Sequence, residues 1–222
     1  MKYLALLLLA IFNSAIFPQS GWQQQNSGTS STLLGVATSG QNTVFVCGIN
    51  GIILKSSNGG SSWSALTSGT TRFLRSITRA DEGIIFAAGE LGTIVRTTNN
   101  GSNWLTLNSG TNNTFVNIYF SAPQYGTAVG LNGVIQRTTN GGNNWFSQSS
   151  GVNLELTGVF FVNDLTGFIS GFSGTILKTT NGGANWISLA SGTSNDLRAL
   201  CFADANTGIV CGIGGKILRT TD

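Results

Sequence analysis

Short apolar segments recur along this chain between longer stretches of glycine, serine, threonine and asparagine. The first apolar segment of each recurring unit is rich in aliphatic and aromatic residues, and these segments span residues 33–37, 74–78, 115–120, 156–161 and 197–202. Runs of this length and composition, bounded by turn-forming residues, are typical of β-strands. Because apolar side chains point to both sides, the pattern predicts strands buried between neighbouring sheets rather than strands with one solvated face.

The tryptophans set the period of the repeat. Each of Trp22, Trp63, Trp104, Trp145 and Trp186 lies 41 residues from the next. Within each unit a second apolar segment ends at a glycine, a tight turn and a third segment follow, and a fourth segment begins at the tryptophan. A repeat of roughly 40 to 45 residues with four short antiparallel strands is typical of one propeller blade. The sequence therefore predicts an all-β fold, a β-propeller of four-stranded blades, over residues 21–222.

The strands of this chain add up to five blades. A lone fourth strand, residues 22–25, precedes four whole units, and residues 216–220 form the third strand of the last unit. The two ends could together complete a fifth blade and close the ring, which would remove exposed sheet edges. The alternative is that the five blades are a fragment of a larger propeller. The sequence leaves both arrangements open.

The segment around each tryptophan is the strongest motif. Residues 137–145 read Arg-Thr-Thr-Asn-Gly-Gly-Asn-Asn-Trp; residues 55–63, 96–104 and 178–186 are copies, and residues 219–222 begin another. An asparagine in such a segment folds its side chain onto backbone N–H groups, and glycine adopts conformations that other residues resist. We expect a structural turn rather than a calcium or sugar site, because neutral asparagine is a weak cation ligand.

This segment resembles the Asp-box, Ser/Thr-x-Asp-x-Gly-x-x-Trp, of the bacterial neuraminidase (BNR) repeat. Asparagine replaces the aspartate in the four complete copies, and Asp222 restores it in the last. The longer repeat frame is similar to photosystem II assembly and stability factor-like propellers, and to the repeats of secreted proteins from gliding and related bacteria. The resemblance covers residues 21–222 and implies the fold. It does not select a function, because enzymes and non-enzymes share the box.

Residues 1–20 predict an export signal. Lys2 precedes an unbroken apolar run over residues 4–12, which has the length of a signal-peptide core and is too short to span a bilayer. No second run of this kind follows in the sequence. We therefore expect an extracytoplasmic protein, secreted, periplasmic or at the cell surface, with no transmembrane segment after removal of the signal.

Charge and composition argue against several classes of function. Only 9% of the residues are charged, the net charge is +3 with scattered basic residues, and histidine is absent. Nucleic-acid binding would call for a dense basic stripe. The lack of histidine removes the commonest general base and metal ligand. The sequence thus predicts no nucleic-acid partner, no cofactor and no metal site.

The three cysteines make no disulfide framework, and we expect them to act as small buried apolar residues.

One cation recurs in every unit, without an acidic residue at a repeating position. The set comprises Lys55, Arg96, Arg137, Lys178 and Arg219. One interpretation is an anion-binding surface, for instance for an acidic glycan. The alternative is a solvated strand whose aliphatic stems cover neighbouring apolar surface and stack on aromatic rings.

Candidate partner-binding residues follow from the places where the units differ. One propeller face carries the turns between second and third strands and the connections from each fourth strand to the next blade. Residues that vary there are free of the packing constraint that repeats in every blade. The candidates are Ile49, Glu90, Leu131, Phe172, Ile213, Arg72, Glu155 and Asp196. Apolar residues at such turns, where polar ones are the rule, indicate a contact surface, unless they fold down onto neighbours.

The sequence thus predicts a secreted, non-catalytic propeller that binds or scaffolds a protein or carbohydrate ligand. One alternative is a glycoside hydrolase of the sialidase-like propeller type. Glu155 and Asp196 occupy equivalent positions of adjacent units, so they form the candidate carboxylate pair that glycoside hydrolysis requires. A second alternative, implied by the resemblance, is a photosystem assembly factor-like protein.

Overall fold

The described part of the chain, residues 21–222 of a computed structural model, folds into five antiparallel sheets. Four sheets have four strands each, and the last has three. In chain order the strands are β1 Leu33–Thr38, β2 Val44–Gly48, β3 Ile53–Ser56, β4 Ser64–Leu66, β5 Leu74–Asp81, β6 Ile84–Gly89, β7 Ile94–Thr97, β8 Leu105–Leu107, β9 Phe115–Ala122, β10 Tyr125–Gly130, β11 Ile135–Thr138, β12 Phe146–Gln148, β13 Leu156–Phe161, β14 Gly167–Gly171, β15 Ile176–Thr179, β16 Ile187–Leu189, β17 Leu197–Phe202, β18 Thr207–Gly212 and β19 Lys216–Thr221. The predicted export signal, residues 1–20, lies outside the described residues.

The order of the sheets confirms the predicted all-β propeller with its repeated blades. Each sheet is a meander in which strands adjacent in sequence pair with one another. The first strand of every sheet packs beside the first strand of the next, so β1, β5, β9, β13 and β17 form the inner row of the assembly. Fourth strands begin one residue after the tryptophan rather than at it, and they are only three residues long.

The core lies between consecutive sheets, as the two-sided apolar strands predict. In the first of these layers, Phe45 and Ile53 from one sheet pack with Leu74, Ile77 and Ile85 from the next. The same arrangement joins the second sheet to the third and the third to the fourth. Burial between sheets removes apolar surface from water at about 25 cal/mol per Å². Each blade is therefore stabilised mainly by its neighbours.

The two outer sheets of the row each keep one apolar face open. Ile209 and Ile217 of the last sheet are 46% and 70% exposed, although Phe45 and Ile53 at the equivalent positions of the first sheet are fully buried. Val36 on β1 is likewise 66% exposed. Within the described residues, segment 22–25 forms no strand and β19 pairs only with β18. Closure of the ring by the two ends, one of the two predicted arrangements, is thus not formed in this structure.

The burial of the three cysteines also depends on whether a neighbouring sheet covers them. Cys47 is buried between the first two sheets, its thiol donates to the Leu74 carbonyl, and burial raises its pKa to about 12. Cys201 and Cys211 are exposed, which contradicts the expectation of buried residues at all three positions. Cys211 occupies the position equivalent to Cys47, and it is exposed because no described sheet covers that face.

Each box is a hydrogen-bonded turn built around a buried hydroxyl. In the third sheet, Thr138 Oγ1 accepts the N–H groups of Asn140 (3.3 Å) and Gly142 (2.9 Å) and donates to Asn140 Oδ1 (3.0 Å). Asn140 Oδ1 also accepts the N–H of Asn144 at 2.9 Å. The equivalent residues of the first, second and fourth sheets make the same bonds, with Ser56, Thr97 and Thr179 as the hydroxyl donors. The motif is thus a repeated turn, as its residues indicate.

The last glycine of the box joins one sheet to the sheet before it. Gly142 has a φ of +80°, and a Cβ at this position would lie 2.6 Å from the Phe86 ring in the second sheet. Gly101 meets Phe45 and Leu66 of the first sheet in the same way. Glycine is therefore required twice over, by the left-handed backbone and by the close approach of the neighbouring sheet.

We predict that Gly142→Ala destabilises the protein more than Gly151→Ala. Gly151 also has a positive φ, +73°, but a Cβ there would meet nothing within 4 Å. Both substitutions carry a left-handed penalty of about 1–2 kcal/mol. Gly142→Ala should add about 1–3 kcal/mol from overpacking against Phe86. Denaturant unfolding of the two variants measures the difference, and equal losses would show that the contact with Phe86 does not matter.

Candidate functional site

One face of the molecule, which we call the loop face, is formed by the turns between second and third strands and the connections that precede each first strand. Hydrogen bonds tie the two sets together in every sheet. In the third sheet, the Leu131 N–H donates to the Thr114 carbonyl at 3.0 Å. The equivalent bonds run from Ile49 to Thr32, Glu90 to Phe73, Phe172 to Glu155 and Ile213 to Asp196. Both sets of variable residues therefore lie on the same face.

The apolar candidates differ in how far they reach into solvent. Ile49, Leu131 and Phe172 are half-buried, whereas Ile213 is 47% exposed. Three of the four therefore fold partly down onto the turns. Glu90 is also half-buried, and its carboxylate accepts the Phe73 N–H at 3.4 Å. Ile213 offers the most open apolar surface among these candidates.

Leu91 is an apolar residue on the loop face that the sequence reasoning missed. It follows Glu90 in its turn, is 51% exposed and has a φ of +51°. The equivalent positions of the other turns carry Asn50, Asn132, Ser173 and Gly214, which are all small or polar. A leucine in the left-handed region is a strained choice at a position where asparagine is tolerated. The signal that could have found it is this departure from the turn residues of the other units.

Phe172 and Asp196 come together with a third residue, Arg198. The Arg198 guanidinium lies 4.5 Å from the Phe172 ring centroid and 3.3 Å from Asp196 Oδ2. Asp196 Oδ1 accepts the Ser173 N–H at 3.1 Å. These contacts hold the turn of the fourth sheet against the first strand of the fifth. Because Arg198 is itself exposed, the pair adds little to stability, but it presents a cation and an aromatic ring on the same surface.

The candidate carboxylate pair has unequal surroundings. Asp196 is bound through both oxygens, to Arg198 and to the Ser173 N–H. Glu155 is half-buried at the start of the fourth sheet, and its backbone carbonyl accepts the Phe172 N–H at 2.9 Å. An acid whose oxygens are engaged by a guanidinium and a backbone amide is poorly placed to deliver a proton to a leaving group. The structure thus supplies no support for the general-acid role at Asp196.

Three of the five recurring cations, Lys55, Arg96 and Arg137, donate to the next sheet. Lys55 Nζ donates to the Asn100 carbonyl of the next box at 2.7 Å, and Arg96 Nη1 donates to the Gly141 carbonyl of the following one at 2.6 Å. Lys55 and Lys178 also lie above Phe45 and Phe168, 5.7 and 5.4 Å from the ring centroids. This geometry favours the structural alternative for these residues. Arg219 is exposed. Anion binding by the set stays a prediction.

Arg137 is the most enclosed of these cations, with 4% of its surface exposed. Its guanidinium donates to Thr127 Oγ1 at 2.8 Å and to the Asp164 carbonyl at 3.0 Å, and lies 4.4 Å from the Phe161 ring centroid. Desolvation lowers the pKa of Arg137, and the nearby charge of Asp164 acts in the opposite direction. Its hydrogen bonds and its burial make this side chain part of the junction between the third and fourth sheets.

Residues 21–222 contain no group of three or more acidic or cysteine side chains placed to hold a metal ion. Over the same residues, no helix has the length and apolar character needed to cross a membrane.

The comparison with protein families decides where this chain belongs. The model of the family described as Photosynthesis system II assembly factor YCF48 matches residues 15–111 and 99–197. These two matches together span well over half of the chain. The chain belongs to the YCF48 family. Among curated proteins, none matches it.

Solved structures show the same fold at low sequence identity. YCF48 from Cyanidioschyzon merolae is 14% identical, with a TM-score of 0.51 over 90% of this chain and 99% of that one. The WD40 β-propeller domain of Doa1 is 18% identical, with a TM-score of 0.69 over 87% of this chain and 69% of that domain. An ancestral GH74 enzyme is 17% identical, with a TM-score of 0.69 over 91% of this chain and 32% of the enzyme. The YCF48-family chain is thus a β-propeller, and the predicted resemblance to the assembly-factor propellers is confirmed.

We predict that Leu91→Asn stabilises the YCF48-family chain by about 1 kcal/mol, because asparagine tolerates the left-handed backbone better than leucine. The reverse exchange, Asn50→Leu at the equivalent turn, should cost a similar amount. Asn50 is exposed and has a φ of +58°. Thermal unfolding of both variants gives the two signs, and a stabilising Asn50→Leu would contradict the assignment of strain.

Proposed function

We propose that this chain is a secreted, non-catalytic β-propeller that binds a protein partner through its loop face. Membership of the YCF48 family carries this proposal, because a factor that assembles a complex must contact the proteins of that complex. The loop face offers what such a contact needs. Leu91 and Ile213 expose about half of their surface, and the exposed polar residues Arg72 and Asn132 lie on the same face. Exposed apolar groups on a polar surface are typical of contact sites.

A binding role is favoured over glycoside hydrolysis. The likeness to a GH74 enzyme is a likeness of fold, and one fold serves enzymes and non-enzymes alike. Within residues 21–222, the candidate acid Asp196 is engaged by Arg198 and the Ser173 amide. A retaining or inverting glycosidase needs one carboxyl group that can donate a proton. We therefore propose that the chain is not an enzyme.

The identity of the protein partner is the finer question. A solved structure of YCF48 bound to a D1 peptide, 14% identical with a TM-score of 0.48, covers 87% of this chain and 94% of that one. The D1 peptide is the ligand of that YCF48 protein. For this chain a D1 peptide serves as the probe of the photosystem alternative, and binding of it at the loop face would favour that alternative over scaffolding of another protein.

We further propose that residues 1–20 direct export, which places the propeller outside the cytoplasm. We expect the protein recovered from secretory expression in a bacterium to lack these residues, because a charged start and a short apolar run are read and removed by signal processing. N-terminal sequencing of the recovered protein measures this. An intact amino terminus in cytoplasmic material would count against export.

The loop face itself is tested by crosslinking. A photo-crosslinking residue at the exposed position of Arg72, in the full chain, should capture a discrete protein from extracts of the source organism. The same residue at the position of Glu82, an exposed residue of the opposite face, is the matched control and should capture none. Ile213→Ser should reduce capture about tenfold, corresponding to the loss of an apolar contact worth roughly 1.4 kcal/mol.

The melting temperature separates binding from folding in this experiment. Ile213 is exposed, so its replacement by serine should leave the melting temperature nearly unchanged. Equal capture from both faces would contradict a contact at the loop face. Capture that survives Ile213→Ser and Leu91→Asn together would show that these two residues do not form the contact. Loss of capture on replacing Lys55 and Arg96 instead would assign the surface to the recurring cations.

A further inference from the structure

The face opposite the loop face carries a pair of aromatic residues that the repeat does not require. Tyr119 on β9 and Phe160 on β13 occupy equivalent positions, at which the other three sheets carry Ala37, Thr78 and Cys201. Both rings are half-buried. Because three sheets pack without an aromatic residue there, the pair is not a condition of the fold. Its restriction to two adjacent sheets marks one sector of this face.

Together with Phe202 these rings form a continuous row of ring–ring contacts, which we call the aromatic strip. The ring centroids of Tyr119 and Phe160 are 5.2 Å apart with an interplanar angle of 35°, and those of Phe160 and Phe202 are 6.4 Å apart at 27°. Phe202 is fixed from behind by stacking on Phe168 at 3.7 Å. The rings are closer to parallel than to perpendicular. Because neighbouring rings are tilted or stacked against one another, they form one continuous apolar wall rather than a cage around a single cation.

The aromatic strip lines a cavity of about 480 Å³. This volume lies within the range of small-molecule sites. Ser121, Asn163 and Asp204, at the ends of the same three strands, add polar groups to the lining. A set of apolar rings with a few polar groups is the usual composition of a ligand site.

Some polar groups of the cavity are held by backbone hydrogen bonds, and others can bind a ligand. Asp204 Oδ1 accepts the N–H groups of Asn206 and Thr207 at 2.8 and 2.7 Å, and these bonds lower the pKa of Asp204. The Asp204 carboxylate is also exposed to solvent. Asn163 Oδ1 accepts two backbone N–H groups at 2.9 and 2.7 Å, while its amide NH₂ has no hydrogen-bond partner within residues 21–222. The site thus presents one charged acceptor and one donor beside the rings.

We propose that this cavity binds a neutral oligosaccharide chain. A sugar ring has a face of C–H groups that packs on aromatic rings, and hydroxyls that both donate and accept hydrogen bonds. In this arrangement sugar rings pack against the apolar wall that Tyr119 and Phe160 contribute to the cavity, hydroxyls donate to Asp204, and others accept from Asn163. The site lies on the face opposite the proposed protein contact, so it stands independently of that proposal.

Two other ligand classes also bind to aromatic side chains, but they fit this cavity less well. Nucleic-acid bases stack on aromatic rings in channels of positive charge. Here Asp204 lines the cavity and Asp164 accepts the Ser121 hydroxyl beside it, so phosphates would be repelled. Proline-rich peptides dock in aromatic grooves. Their prolines have no N–H to offer Asp204, and the Tyr119 hydroxyl already donates to the Phe161 carbonyl at 3.3 Å.

The test is titration calorimetry of the full chain with cellohexaose, laminarihexaose, maltohexaose and chitohexaose. We expect at least one of these to bind, and Tyr119→Thr and Phe160→Thr each to weaken that binding about tenfold. Threonine is a matched replacement, because the second sheet carries Thr78 at this position. Asp204→Asn should weaken binding several-fold and leave the fold intact, because Asn163 makes the same two backbone bonds with an amide oxygen.

Leu91→Asn on the loop face is the control and should leave sugar binding unchanged. The proposal is overturned if none of the four oligosaccharides binds, or if the double variant Tyr119→Thr, Phe160→Thr retains full binding with an unchanged melting temperature. Binding of a deca-proline peptide in place of the sugars, abolished by the same double variant, would assign the cavity to proline-rich segments instead. Success or failure here leaves the crosslinking result at the loop face unaffected.

Discussion

The junction between neighbouring blades is the constraint on which the rest of this structure depends. A blade has two apolar faces and cannot bury either one alone, so every sheet needs a neighbour at a fixed distance. The box supplies that spacing. Thr138 Oγ1 organises the turn, Gly142 brings it onto Phe86 of the preceding sheet, and Arg96 of that sheet donates to the Gly141 carbonyl. One motif therefore builds a turn and also joins it to the next sheet.

The same constraint separates the residues that serve the fold from those that are free to vary. Positions in the junctions repeat because each blade solves the same packing problem. Leu91 differs from the residue at its position in every other unit, and Tyr119 and Phe160 stand where the other three units carry non-aromatic residues. The two faces of the propeller thus carry different chemistry on a common frame. One face offers scattered apolar turns, and the other offers a lined cavity with an acidic rim.

Much of the fold could be predicted from the sequence, because the tryptophan period and the two-sided strands follow directly from packing between sheets. Other features depend on where side chains end up. The faces around Ile209 and Val36 are open because no described sheet packs against the outer sides of the last and first sheets, which no local sequence pattern encodes. Arg137 is a cation by sequence and a buried junction residue by position. Tyr119 and Phe160 are also apolar strand residues by pattern, and only the direction of their rings distinguishes them from the buried Phe161 beside them.

The replacement of aspartate by asparagine in the four complete boxes has a consequence for the conditions under which the protein stays folded. Asn140 Oδ1 accepts the Asn144 N–H as a carboxylate would, and its amide also donates to Asn144 Oδ1 at 2.9 Å, which a carboxylate could not do. A side-chain amide neither gains nor loses a proton between acid and alkaline solution. The turns that join the blades therefore keep the same hydrogen bonds in acidic and alkaline surroundings, whereas a carboxylate at the centre of each turn would be neutralised in acid.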